Sequence, residues 1–120
     1  MTKRFCVSLT HAKDDADRAT VAFVVANAAV ASDKETLVFL STEGVRLATS
    51  GYADDIREEG FQPLRKLMDD FAANGGKIFV CSPCFKKRGL AEGTLVAGAT
   101  IVGGAKLVEF LSDGAPSVSY

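Results

Sequence analysis

The chain has 120 residues, of which 14 are basic and 15 acidic, so its formal net charge is −1. This balance gives no overall attraction to nucleic acid or to an anionic membrane, and we expect neither as a partner. The length suits a single domain over residues 1–120, with a core that needs no disulfide or metal to hold it together.

The N-terminal sequence and the number of cysteines bear on the cellular compartment of the protein. Residues 1–7 lack the long apolar segment of a signal peptide, and the apolar stretches are too short or too often interrupted by glycine to cross a bilayer. We therefore expect a cytoplasmic protein. In a reducing compartment an odd number of cysteines, here three, indicates catalytic, redox or metal chemistry, or simply small buried hydrophobes.

The first half of the chain predicts two strands around one helix. Residues 5–9 alternate apolar and small side chains, which favours a strand, and residues 15–31 carry alanine and valine at helical spacing behind an acidic start. The unbroken apolar run at residues 36–40 is typical of a strand covered on both faces. Residues 41–60 are charged and contain several glycines, so we expect a surface segment with a turn or two of helix at 45–48.

The second half continues the alternation. Pro63 begins an amphipathic helix that ends at Asn74-Gly75, and a strand at 77–80 follows directly. Beyond a loop with two cysteines come a strand at 99–102, a helix at about 106–111 and a short strand at 117–119. Strands alternating with helices, without hairpin signals, indicate a three-layer α/β/α sandwich with a mostly parallel sheet of about five strands.

The carboxyl ends of these strands form the candidate site. Functional groups of open parallel sheets gather at this edge. It would bring together residues that follow the first, second and third strands, namely Thr10, His11, Thr42, Glu43, Gly44 and Cys81.

A C-x-x-C motif at residues 81–84 dominates this edge. Ser82 and Pro83 suit the N-cap and first position of a helix, so the thiols of Cys81 and Cys84 would both lie near a helix N-terminus. Its partial positive charge favours thiolate over thiol. Three cations that follow act in the same direction: Lys86, Lys87 and Arg88. We therefore predict a depressed pKa and a nucleophilic role for Cys81, the alternative being a buried structural cysteine at a strand end.

The other candidate residues keep open alternatives. Cys84 is a resolving thiol, a redox partner of Cys81 or a structural residue, and Cys6 is a core residue of the first strand. His11, the only histidine, could exchange a proton near Cys81 or be a solvated loop residue. Glu43 could orient a substrate or a neighbouring lysine. The three cations are an anion-binding cluster or a solvated helix face.

Other chemistries fit less well. Thioredoxin-like folds place C-x-x-C after an early strand opposite a cis-proline loop, and Pro63 and Pro116 lie in the wrong context for that loop. A zinc site would need ligands beyond one C-x-x-C, from His11 or a second subunit, so we expect no metal. The glycines at 98, 103 and 104 do not form a dinucleotide fingerprint, and no cofactor is expected.

The order of elements and the third loop resemble the DsrE/DsrF-like family of small sulfur-transfer proteins, which includes the sulfur-relay protein TusD. The features that carry the resemblance are the strand-end Cys81, the short helical turn that ends at Arg88-Gly89, and the glycine-containing segment at residues 42–45. Cys81 falls on the position that holds persulfide sulfur in active members. Cys84 departs from the pattern, because TusD-like sequences have a small apolar residue there.

The resemblance implies a small sulfurtransferase that holds sulfane sulfur as a persulfide on Cys81 and passes it to a thiol acceptor. It also implies a homo-oligomer, trimer or hexamer, and a sulfur donor or acceptor protein of the TusA type. Exposed apolar residues near 96–102 are compatible with such assembly. Two alternatives remain: a C-x-x-C thiol-disulfide oxidoreductase, and a non-enzymatic oligomeric module that binds a ligand or partner.

Overall fold

The structure is a computed structural model that describes residues 3–120. Its strands are β1 (Arg4–Leu9), β2 (Glu35–Leu40), β3 (Lys77–Cys81), β4 (Ala99–Val102) and β5 (Ser117–Ser119). Its α-helices are α1 (Ala16–Ala31), α2 (Leu64–Ala73), α3 (Ser82–Lys87) and α4 (Gly104–Leu111). Within the described residues, 3-10 helices form at Lys13–Asp15, Thr42–Ala48 and Tyr52–Asp55. The predicted alternation of strands and helices is confirmed.

The strands within residues 3–120 form one parallel sheet in the order β4-β3-β2-β1-β5. Helical crossovers join parallel neighbours, and the polar carboxyl ends of all the strands consequently meet at one edge. The three-layer α/β/α prediction is confirmed, and the sheet is parallel throughout the described residues. No helix among these residues is both long and apolar enough to cross a membrane.

The first face of the sheet carries the larger core. Alternate residues of the strands point to this face and pack against α1, α2 and the segment at 42–56; they include Val7, Leu9, Val38, Leu40, Ile78 and Val80. Phe23 of α1 and Phe71 of α2 meet edge to face with ring centroids 5.8 Å apart. The core thereby fixes both helices against the first face of the sheet.

The second face is covered by α4 and the residues that follow it. Cys6, Leu37 and Phe39 point to this face and pack against Phe110. Side chains along a β-strand alternate between the two faces of the sheet, so these residues alternate along β1 and β2 with the residues of the first-face core. Cys81 reaches both clusters as a partly buried neighbour, since it stands at the very end of β3.

The prediction that residues 41–60 form a surface segment is wrong. Their apolar side chains are buried, among them Val45, Leu47, Ala48, Ala53 and Ile56. The two 3-10 helices in this segment turn these side chains inward and leave the charged ones outside. A 3-10 helix repeats every three residues, so the helical spacing of 3.6 that reveals an amphipathic α-helix is absent from the sequence.

Candidate functional site

The junction between β3 and α3 positions the two thiols of the C-x-x-C motif. Cys81 is the last residue of β3 and also the N-cap of α3, with extended backbone angles of φ −62° and ψ 113°. The helix therefore begins at Ser82, one residue earlier than predicted. Phe85 is buried and anchors α3 in the core. Cys81 and Cys84 are both free thiols and both partly buried.

Cys81 extends beyond the neighbouring strand on one side. It pairs with Val102 of β4, whereas the pairing of β3 with β2 ends one residue earlier, at Val80 opposite Leu40. The side chain of Cys81 is only partly buried at this strand end. The predicted location of Cys81 at the carboxyl edge is thus observed.

Gly44 allows the 3-10 helix Thr42–Ala48 to pack against the end of β1. A Cβ at this position would overlap the carbonyl oxygen of Leu9, which is backbone and has no freedom to rotate away. The Gly44 amide donates to the carbonyl of Ser41 at 2.9 Å. The residue predicted to support a ligand is therefore required first for close packing at the rim.

Glu43 ties the loop after β2 to the helix that carries both thiols. Its carboxylate accepts hydrogen bonds from Nε of Arg88 at 2.6 Å and from Nε of Arg46 at 2.8 Å. Arg88 also donates from Nη1 to the Cys84 carbonyl at 3.2 Å. The Arg88 guanidinium, followed by that of Arg46, holds the pKa of Glu43 below its usual range. Glu43 thus orients two arginines, and not a lysine.

The predicted depression of the Cys81 pKa is wrong. Burial of the thiol raises its pKa above the ordinary value, and the neighbouring Cys84 thiol raises it further. The backbone N–H of Cys84 and the charge of Arg88 act in the opposite direction but do not outweigh burial. Desolvation disfavours the charged form of any thiol, and α3 is too short to offset it with a strong helix dipole.

The three basic residues that were predicted to favour the thiolate of Cys81 do not all do so. Arg88 is the member whose charge lowers the pKa of Cys81. Lys86 and Lys87 are exposed on the last turn of α3, where positive charge complements the C-terminal end of the helix. The basic run is therefore divided between one site residue and two solvated ones.

His11 lies on the same rim but beside another strand. Its Nδ1 pairs with the carboxylate of Asp14 at 2.7 Å. Because β2 separates β1 from β3, their ends are about 10 Å apart across the sheet. The Thr42 hydroxyl connects the first two loops by donating to the Thr10 carbonyl at 2.8 Å. His11 thus belongs to the rim without contributing to the pKa of Cys81.

Cys6 behaves as the sequence predicted. It is 1% exposed in the core of the second face, and burial raises its pKa to about 11. Such a thiol stays protonated at neutral pH and provides an internal reference for the other two cysteines.

Arg46 belongs to the rim network although its sequence position did not suggest it. The signal was the spacing of Glu43 and Arg46, because residues three apart on a helical turn are neighbours. That signal was hidden as long as residues 41–60 were interpreted as an irregular surface segment.

Other features of the described residues lie outside this rim. No group of three or more His, Cys, Asp or Glu side chains within residues 3–120 is arranged to hold a metal ion. A cavity of about 240 Å³ lies between α2 and the loops, lined by residues that include Thr49, Arg65 and Leu95 but neither cysteine of the C-x-x-C motif.

Comparisons with known proteins place the fold and the family. The model of the DsrE/DsrF-like family matches residues 3–118. The uncharacterized protein MJ0760 of Methanocaldococcus jannaschii is 31% identical over 98 residues, which are 82% of this chain. The chain spans only 36% of the length of that relative.

Two solved structures have the same fold. The ychN protein from E. coli superposes with a TM-score of 0.73 at 14% identity, and the match covers 100% of both chains. The protein of unknown function MTH1491 from Methanobacterium thermoautotrophicum gives a TM-score of 0.67 at 16% identity, and the match covers 98% of both chains.

Proposed function

The chain belongs to the DsrE/DsrF-like family, and from this premise we propose that it carries sulfane sulfur as a persulfide on Cys81 and passes that sulfur to a thiol acceptor. The family is related to sulfur-relay proteins, which supports a general role in sulfur transfer. The finer assignment rests on one observation: Cys81 is a partly exposed thiol at the carboxyl end of β3, beside the backbone N–H of Cys84 and the charge of Arg88.

The proposed reaction is an exchange without net oxidation. The Cys81 thiolate attacks the outer sulfur of a donor persulfide, R–S–SH, forming Cys81–S–SH and releasing R–S⁻. An acceptor thiolate, R′–S⁻, then attacks the outer sulfur of Cys81–S–SH, which gives R′–S–SH and restores the Cys81 thiolate. One sulfur–sulfur bond forms and one breaks in each step, so no external oxidant is needed.

The raised pKa of Cys81 shapes the rate of this exchange. A small fraction of the thiol is ionised at neutral pH, but each thiolate is more nucleophilic because its basicity is higher. The N–H of Cys84 and the charge of Arg88 then stabilise negative charge as it forms at sulfur. We therefore propose a carrier that loads slowly at neutral pH and faster as the pH rises.

We further propose a cytoplasmic homo-oligomer, trimer or hexamer, that works with a donor or acceptor of the TusA type. Support for assembly comes from apolar side chains that this chain leaves uncovered on α4 and on the edge strand β4. Val108 of α4 is 67% exposed, and Ile101 and Val102 of β4 are only partly buried. An edge strand with apolar side chains can pair with another chain.

Intact-protein mass spectrometry tests the carrier role. The reduced protein is treated anaerobically with inorganic polysulfide, desalted and weighed, alongside Cys81→Ser, Cys84→Ser and Cys6→Ser. We expect a gain of one sulfur atom in Cys84→Ser and no gain in Cys81→Ser, because Cys81 is the accepting thiol. Cys6→Ser is the matched control, since its side chain is buried, and it should behave as the wild type. Equal sulfur uptake by Cys81→Ser and Cys84→Ser would contradict the proposal.

A further inference from the structure

We propose that Cys84 resolves the persulfide on Cys81, so that the protein releases hydrosulfide and is left with a Cys81–Cys84 disulfide. This second activity rests on the proposed carrier function and concerns the same corner of the fold. It would make the protein a persulfide reductase whenever no acceptor thiol is bound. The substrate class is then any sulfane-sulfur donor that can load Cys81.

The geometry of the first turn of α3 supports ring closure. Cys81 is the N-cap residue and Cys84 is the third residue of the helix. The side chain of an N-cap residue ordinarily reaches the backbone N–H of the second or third helical residue, so the thiol of Cys81 lies on the same turn as Cys84. A disulfide needs Cβ atoms about 3.5–4.5 Å apart, and a small shift of Cys81 toward Cys84 would join the two sulfurs. Such a shift disturbs little, because Cys81 has extended backbone angles and is outside the helix itself.

Cys81 and Cys84 both pack, partly buried, against the larger core at the junction of β3 and α3. Consistent with this placement, the thiol of Cys84 acts to raise the pKa of Cys81, and the backbone N–H of Cys84 acts to lower it. For Cys6, burial alone raises the pKa of the thiol. The influence of a second thiol is thus particular to Cys81 at the β3–α3 junction.

The surrounding contacts keep this pair together. Phe85 is buried directly after Cys84, and the Cys84 carbonyl accepts the hydrogen bond from Arg88. Arg88 is held in turn by Glu43 of the neighbouring loop. The backbone of Cys84 is therefore fixed against the same rim from which Cys81 projects.

The chemistry balances without an added oxidant. The Cys84 thiolate attacks the inner sulfur of Cys81–S–SH, which is Sγ of Cys81. A bond forms between the two Sγ atoms, the bond to the outer sulfur breaks, and that sulfur leaves as HS⁻. The sulfane sulfur gains two electrons and the two cysteine sulfurs lose them. A low-molecular-weight thiol or a dithiol protein would then reduce the disulfide and complete a cycle.

Two outcomes therefore compete for one persulfide. An acceptor thiolate attacks the outer sulfur and takes it away, whereas Cys84 attacks the inner sulfur and expels it as hydrosulfide. Because Cys84 is attached to the same helix, its effective concentration is high and fixed. Transfer should therefore require an acceptor that docks at the rim and reaches the outer sulfur first.

The test follows the fate of sulfur under anaerobic conditions. Reduced wild type, Cys84→Ser, Cys84→Ala and Cys6→Ser are loaded with inorganic polysulfide, desalted and incubated without any thiol. Hydrosulfide and intact mass are then measured over time. We expect wild type and Cys6→Ser to release one equivalent of hydrosulfide and to lose two hydrogen atoms. Both Cys84 variants should keep the added sulfur and release at least about tenfold less hydrosulfide, as expected for a lost intramolecular step.

The possible failures can be told apart. If wild type retains the added sulfur for as long as the Cys84 variants do, the resolving role of Cys84 is overturned and the carrier proposal stands. If the Cys84 variants never gain sulfur on Cys81, the carrier proposal fails and the resolving step fails with it. A parallel incubation without polysulfide shows that any disulfide depends on the donor.

Discussion

Cys6 and Cys81 stand at different places on the same sheet, and their surroundings differ accordingly. Cys6 lies in the middle of β1, paired with Leu37 of β2 and Ser117 of β5, and α4 covers it. Cys81 lies at the end of β3, where the pairing with β2 has already stopped. Burial raises the pKa of both thiols. Only Cys81 has an N–H, a cation and a second thiol next to its sulfur.

The comparison teaches that burial and reactivity are set separately in this fold. The strand ladder and α4 remove Cys6 from solvent on every side. The rim leaves Cys81 partly open and surrounds it with groups that can interact with its charged form. Among these two cysteines, the one at the strand end is therefore accessible and the one in the middle of a strand is not.

The largest expected effect is in alkylation. We expect iodoacetamide at neutral pH to modify Cys81 and Cys84 at least about tenfold faster than Cys6, because both are partly exposed, whereas Cys6 is 1% exposed and burial raises its pKa to about 11. Mass spectrometry of digested samples gives the three rates. Denatured protein is the control, in which the three cysteines should react alike. Native Cys6 reacting as fast as Cys81 would remove the basis of the comparison.

A smaller effect is expected from Gly44→Ala, which acts on the rim and leaves the surroundings of Cys6 unchanged. The new Cβ would overlap the Leu9 carbonyl, and we expect the free energy of unfolding to fall by about 2–3 kcal/mol. Urea unfolding measures the loss. Gly93→Ala is the matched control, because a Cβ there meets nothing within 4 Å. Equal stability of both variants would show that the rim is looser than its contacts indicate.

The pH dependence of Cys81 should follow the direction of its pKa shift. The thiolate is the reactive form and the pKa is raised, so the midpoint of the rise in reaction rate should lie above pH of about 8.5, the midpoint for a free cysteine. Arg88→Met should move this rise to still higher pH and slow the reaction at neutral pH several-fold, whereas Arg88→Lys should retain much of the rate. Stopped-flow alkylation gives the profiles, and a midpoint below pH 8 in wild type would be incompatible with a thiol dominated by desolvation.

The smallest effect is expected from Glu43→Gln. The carboxylate pairs with Arg88 and Arg46 but is partly exposed, so solvent screens the pairs and we expect a loss of less than about 1 kcal/mol. The folded pKa of Glu43 is lowered, so its contribution is present at neutral pH and disappears as the pH falls through that value. Urea unfolding at neutral and acidic pH should show a difference only at neutral pH. Glu92→Gln, at an exposed position, is the control.

The sequence predicted the fold well because its strands and α-helices have clear periods. The apolar run at 36–40 and the helical spacing after Pro63 both became the expected elements. The buried segment at 42–56 was missed because 3-10 helices lack the 3.6-residue period. Its consequence was the omission of Arg46 from the rim.

The position of Cys81 at the edge of the sheet was predicted correctly, but the direction of its pKa shift was not. The order of strands placed Cys81 at the carboxyl edge, and the C-x-x-C spacing placed Cys84 next to it. The sign of the Cys81 pKa shift depends on how much protein surrounds the sulfur, which composition and spacing do not contain. The division of the basic run into Arg88 and two exposed lysines likewise depends on the position of Glu43.

Direct transfer of labelled sulfur is the measurement that tests the central claim. Cys84→Ser protein, loaded with isotopically labelled sulfur on Cys81, is mixed with an excess of a low-molecular-weight acceptor thiol, and both products are weighed. The account predicts that the label leaves the protein and is found as the persulfide of the acceptor, with the Cys81 thiol restored. Label that stays on the protein in the presence of acceptor would contradict a carrier function for Cys81.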